Sequence, residues 1–471
     1  MTWISRPDRQ TTARRGRRGA LLTTTTLLIL IVVSRPVLAH ASGLDGSRES
    51  VAIPTWLVLL TGGAVIGASF LLVSMVTDRQ FIDSINESGL SFDINRRDWL
   101  PKVGGAVGVS VLVTLLYIGF VGPQTGSANL LVLFVWSLWW AGYAMSVYLL
   151  GNTWPTLNPW RFLADIIPVS FDVRYPSRLG SWPSLAGLFV LVWVEVTNPI
   201  AERPALLAAV VAGYSLVTVA GAVVFGTGVW FENVDPISRV FHFFGWIAPV
   251  QRTDQGLRAG LPGWHLVDDG LVTGIDDVAF VIGLLWLTTF DGFVATPAWK
   301  AIITPLVDVG VPPLFGYVGL LIAGFVVFAS AYFLASRYAK RLAITGLDET
   351  TVGIRFAQAL LPIAAGYHLA HYLAYFLQFV PSVAVLSANP LSPPAQLPIL
   401  VVPDWFGTVQ LVFVLVGHVV AIWVAHGIAF DSFTGRLQPL RSQYTYTAAM
   451  VLYTMASIGI VFQPSIPLPY L

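Results

Sequence analysis

Apolar runs recur along this chain from residue 54 to residue 462, each bounded by proline, glycine or charge. A helix needs about 20 apolar residues to cross a hydrocarbon core of about 30 Å. Ten such runs lie near residues 54–76, 103–122, 128–150, 183–199, 204–226, 272–290, 313–335, 354–380, 406–430 and 444–462. Composition points the same way. Only 11% of the 471 residues are charged, against about 25% in a soluble domain, too few to solvate a water-facing surface. Hydrocarbon offers the backbone no hydrogen-bond partners, so long apolar runs must be helical. The chain therefore reads as all-α, a polytopic transmembrane helical bundle of about ten spans, with the lipid bilayer as its first partner.

Residues 1–39 read as a signal peptide or a signal anchor. Arg14, Arg15, Arg17 and Arg18 form a basic region, and Ala20 to Val33 is apolar but short for a span. Pro36 and then Val37-Leu38-Ala39 follow, a small-residue cleavage pattern. Residues 40–471 then form a single transmembrane helical domain. Lys and Arg in the loops set its orientation. With the mature N-terminus outside, the internal loops carry Arg79, Arg96, Arg97 and Lys102, then Arg161, Arg174 and Arg178, then Arg239, Arg252 and Arg258, then Arg337, Lys340 and Arg341, then Arg436 and Arg441. The opposite loops carry Arg48, Arg203 and Lys300. The expectation is a multi-pass cell-membrane protein with both mature termini extracytoplasmic.

No soluble domain interrupts the runs. The longest internal loop, about 227–271, contains Val240-Phe241-His242-Phe243-Phe244-Gly245-Trp246, expected in the membrane interface. A net charge of +1 excludes a nucleic-acid binder driven by bulk electrostatics. The absence of cysteine excludes disulfides, thiolate zinc, iron–sulfur clusters and covalent haem c. Any metal must then use His, carboxylate, Met or backbone, and imidazole suits zinc or copper.

Ionisable side chains inside spans are expensive and point to function. They are His368 and His371 in Gly366-Tyr367-His368-Leu369-Ala370-His371-Tyr372, His418 and His426 eight residues apart, Glu195, Asp276, Asp277 and Asp291. At about 1.5 Å rise per residue, His368, His371 and His418 share a depth on consecutive antiparallel helices. They are candidate ligands for a mid-membrane metal. Alternatively each satisfies a neighbouring carbonyl, or His368, His418 and His426 relay protons. His426 lies about 12 Å further along its helix than His418, too far to share one ion with it. His40 follows the cleavage pattern directly, and as a mature N-terminus it can chelate copper through its amino group and ring. Asp291 is a candidate base, ligand or counter-ion at the outer mouth, or a cap before Gly292. Tyr367 and Tyr372 are candidate hydrogen-bond partners of the ring nitrogens.

Taken in order, Ala39-His40-Ala41 through Ile53-Pro54-Thr55-Trp56-Leu57, Leu157-Asn158-Pro159-Trp160-Arg161, Phe290-Asp291-Gly292-Phe293, Ala370-His371-Tyr372, Gly417-His418 and Ala425-His426 resemble a family of polytopic membrane proteins labelled fenitrothion hydrolase. The resemblance implies an organophosphate-ester hydrolase, acting alone or as the integral subunit of a complex with another membrane or extracytoplasmic subunit. By matching position it implies functional roles for His371, His418, His426, Asp291 and His40. His368 falls outside the pattern, and Gly427 stands where an acidic residue often follows the second helix histidine. Three classes stay open: a metal-dependent hydrolase, a transporter or ion conduit, and a non-catalytic subunit anchoring an external partner.

Overall fold

The computed structural model describes residues 55–93, 99–168, 171, 173–253, 256–268, 270–403, 405–435, 437–461, 463–464 and 466–470. The expected signal segment and His40 lie outside them. Pro54–Val402 together with Gln410–Leu471 forms one compact unit, separate from Pro403–Val409.

Each of the ten apolar runs coincides with a helix. They are α1 (Thr55–Ser74), α3 (Trp99–Val121), α4 (Leu130–Leu149), α5 (Trp182–Thr197), α6 (Pro204–Phe225), α8 (Ile275–Val294), α9 (Pro313–Ala343), α10 (Leu361–Ala388), α11 (Phe406–Ser432) and α12 (Leu437–Val461). Shorter helices lie between them, among them α2 (Arg79–Asn86) and α7 (Pro236–Gly245). Among the described residues, seven helices are long and apolar enough to cross a membrane. The number is eight if α2 and the end of α1, bent by 115° to each other, form one span. At 16 residues α5 is short for a span.

Helix α8 is the centre of the unit. It is buried on nearly every face from Asp277 to Phe290, as its all-round apolar sequence requires. It packs on α5, α9 and α10, while α12 lies between α9 and α1. Helices α10 and α11 cross where Gly366 meets Gly417. A Cβ on Gly366 would lie 2.7 Å from the Phe413 carbonyl oxygen, and one on Gly417 would lie 2.5 Å from that of Pro362. Only glycine permits that backbone approach. Two loops pair as a small antiparallel sheet in the order β1 (Gly89–Phe92), β3 (Gly256–Gly260), β2 (Val250–Thr253), with Gly89 opposite Gly260 and Val250 opposite Ala259.

The aromatic loop segment differs from its expected place in the interface. It forms α7, and Val240, Phe241, Phe243 and Phe244 are fully buried against α4, α5 and α10. Its apolar residues turn into the bundle, whereas His242 stays exposed. Asp235 caps it by accepting from the Ile237 amide at 3.0 Å, with Pro236 in the first turn. Asn158 does the same for Pro159–Ile166, accepting from the Trp160 amide at 3.0 Å.

Burying α7 takes Arg239 with it. Arg239 donates to Asp277 of α8 and to the Glu232 carbonyl, and its guanidinium lies over the rings of Phe243 and Phe280. Asp277 also accepts from the Thr273 amide at 2.9 Å and from Ser181 at 3.2 Å. Both charged residues are 7% exposed. Removing one partner leaves a buried charge, which costs about 3–5 kcal/mol. Asp277→Asn or Arg239→Met is therefore expected to lower the thermal midpoint in detergent sharply, whereas the double variant recovers most of the loss. Additive single effects would show the pair to be uncoupled.

Candidate functional site

The polar groups inside the unit gather where α8, α10 and α4 meet. Helix α4 begins and ends as α-helix, but Phe134–Tyr143 is a ten-residue π-helix. Such wide turns are rare and concentrate at functional sites. This one carries Trp136, Trp139, Trp140 and Gly142. A Cβ on Gly142 would lie 2.4 Å from the Phe376 ring, so α4 seats closely on α10 there.

Asp291 lies three residues before the end of α8, inside the helix, and does not act as an end cap. Its carboxylate faces α10, where Tyr372 donates its hydroxyl to Oδ2 at 2.6 Å. His371 Nε2 is 3.5 Å from the same oxygen. The His371 side chain is 37% exposed and that of Asp291 26% exposed, so the pair is open on one side. Tyr367, one turn earlier on α10, has a buried hydroxyl with no hydrogen-bond partner among the described residues. Gly292 brings these groups together. A Cβ there would fall 2.5 Å from the Tyr367 hydroxyl and 3.7 Å from His371 Cε1. The Phe290-Asp291-Gly292-Phe293 segment thus supplies a carboxylate and, next to it, the space in which a histidine and a phenol converge.

The other histidines take separate places. His368 is fully buried, and its Nδ1 pairs with the Tyr148 hydroxyl at 3.0 Å. Its ring is packed by Trp140, Phe244 and Tyr372, and its Nε2 has no hydrogen-bond partner among the described residues. His418 sits beside the Gly366–Gly417 crossing. Its Nδ1 bonds the Val414 carbonyl of its own helix at 2.8 Å, and its Nε2 is also without a hydrogen-bond partner among the described residues. His426 lies nearer the C-terminal end of α11, where Nε2 bonds the Val76 carbonyl at 2.8 Å and Nδ1 faces Gln443 at 3.3 Å. Val76 follows the end of α1, so His426 there satisfies a carbonyl that the broken helix leaves free.

The structure therefore joins His371 to Asp291, and Tyr372 lies between His368 and His371. It does not gather His368, His371 and His418. Among the described residues no three His, Asp or Glu side chains form a group able to hold a metal ion. Tyr372 bonds the carboxylate and not a ring nitrogen. Tyr148 and Trp140 were not readable as site residues. The Tyr148–His368 contact joins positions 220 residues apart, and no local pattern in Ser146–Leu150 sets that tyrosine apart.

Of the four histidines in the long helices, only His371 is open. Diethyl pyrocarbonate applied to the detergent-solubilised protein is expected to modify His371 first, read by peptide mass spectrometry. Equal or earlier modification of His368, His418 or His426 would contradict the arrangement.

Comparison of the chain with protein-family profiles, curated proteins and solved structures returns no match, and the geometry alone carries the functional reading.

Proposed function

We propose that this is a membrane-embedded hydrolase of an ester, with Asp291, His371 and Tyr367 as its working groups. The observation that carries the reading is the His371 ring held between a fixed carboxylate and an open side, next to an unpartnered phenol. Tyr372 fixes the carboxylate by donating to it. A carboxylate facing Nε2 favours the tautomer with the proton on Nε2. Nδ1 then carries the lone pair that takes a proton from water. That water attacks the ester centre, and the Tyr367 hydroxyl donates to the oxygen on which charge develops. His371 next returns its proton to the leaving group. The resemblance to the fenitrothion hydrolase family agrees with this class of reaction. Asp291 and His371 supply two donors for a zinc or copper ion, which would lower the pKa of a bound water. His40 is the further candidate donor, outside the described residues.

Purified protein assayed with 4-nitrophenyl phosphate triesters and carboxylic esters is expected to release nitrophenol. His371→Ala and Asp291→Asn should lower the rate by about 10²–10⁴-fold, and Tyr367→Phe by about 10²-fold. Full activity in His371→Ala, or no turnover of any ester by the wild type, would overturn the hydrolytic reading.

We further propose that all ten helices α1, α3–α6 and α8–α12 cross the cell membrane, with both mature ends outside. The excess of Lys and Arg in alternate loops supports this. The chain has no cysteine, so single cysteines report topology without background. An impermeant maleimide should label Glu202→Cys and Asp308→Cys on intact cells. It should label Asp83→Cys and Asp165→Cys only after permeabilisation. The reverse pattern would invert the topology.

A further inference from the structure

Beside the Asp291 cluster lies a second feature that ester hydrolysis does not use. A cavity of about 600 Å³ opens between α3, α4, α5 and α6, within the range of about 300–1,000 Å³ typical of small-molecule sites. Its wall is almost wholly apolar and rich in aromatic rings. Trp136, Trp139, Trp140 and Tyr143 come from the π-helical segment, and Phe376 comes from α10. One acidic residue, Glu195 on α5, is part of this lining. The lining contains no Lys, Arg, His or Asp. Among the described residues Glu195 makes no hydrogen bond and no ion pair. The charged group that acts on it is Asp291, another carboxylate.

This arrangement is incomplete by itself. A carboxylate among apolar walls needs a counter-charge or a proton, because isolated burial of the charge is costly. Aromatic faces carry negative potential and attract cations, the more so away from water. Wall and carboxylate thus select the same sign of charge. The rim residues Val107 and Val111 lie on an exposed apolar stretch of α3, so an apolar ligand reaches the cavity from the side of the bundle. We propose that this cavity binds a lipophilic cation, an ammonium or phosphonium centre carried on an apolar body, with Glu195 as its counter-ion. The site is distinct from the His371 chemistry and does not rest on the hydrolytic reading.

Tetraphenylphosphonium titrated into the purified full chain in detergent tests this, followed by calorimetry. Saturable binding to the wild type is expected, weakened at least tenfold by Glu195→Gln and less by Glu195→Asp. The His371→Ala variant should bind as the wild type does, which separates this site from the hydrolytic one. Neutral triphenylphosphine oxide should bind the wild type at least tenfold more weakly than tetraphenylphosphonium, a comparison that needs no variant to fold. Equal affinity of the cation for wild type and Glu195→Gln would overturn the proposal. So would equal affinity of cation and neutral compound for the wild type, or the absence of saturable cation binding.

Discussion

A polar group enclosed by apolar helices must find its partner within the protein, because neither lipid nor packed side chains supply one. That requirement accounts for most of the polar contacts in this chain. Where helices break, side chains from distant segments close the exposed backbone. His426 reaches the Val76 carbonyl, and Arg79 donates to the carbonyls of Phe430 and Phe433. Gln358 donates to the Leu266 carbonyl at 2.6 Å. Asn129, fully buried, accepts from the Leu131 amide and donates to the carbonyls of Ile118 and Pro123. Each bond links segments that hydrophobic packing alone would leave free to slide. Arg239 and Asp277 are the charged version of the same arrangement, tying the buried aromatic helix α7 to the central helix α8.

Against that background the unpaired groups stand out. Among the described residues the Tyr367 hydroxyl, His368 Nε2, Trp140 Nε1 and His418 Nε2 are buried without hydrogen-bond partners, as are the indole nitrogens of Trp193, Trp230 and Trp299 elsewhere. The first three border the region where α4, α8 and α10 meet. Among the described residues Glu195, which lines the aromatic cavity next to it, makes no hydrogen bond either. The π-helical turn of α4 belongs to the same pattern, since it trades regular backbone geometry for a wall of tryptophans.

How the four helix histidines divide follows from their neighbours rather than from their depth. The shared depth of His368, His371 and His418 followed from counting residues along the helices. Depth does not fix the direction in which a side chain points. His368 turns toward Tyr148 and Phe244, and His418 bonds its own helix. His371 alone faces a carboxylate with one side open.

The sequence by itself determined where the long apolar helices lie and their approximate ends, because an apolar helical run depends only on local length and hydropathy. It also marked Asp291 and His371 as costly residues in apolar surroundings. The tertiary structure decided what those residues meet. The burial of Val240–Phe244, the widened turn in α4 and the pairing of Tyr148 with His368 depend on contacts between segments far apart in the chain. Close approaches such as Gly366 on Gly417, and Gly292 beneath Tyr367 and His371, depend on how helices cross. Hydropathy has no term for rotation about a helix axis or for crossing position, and those two quantities place the site.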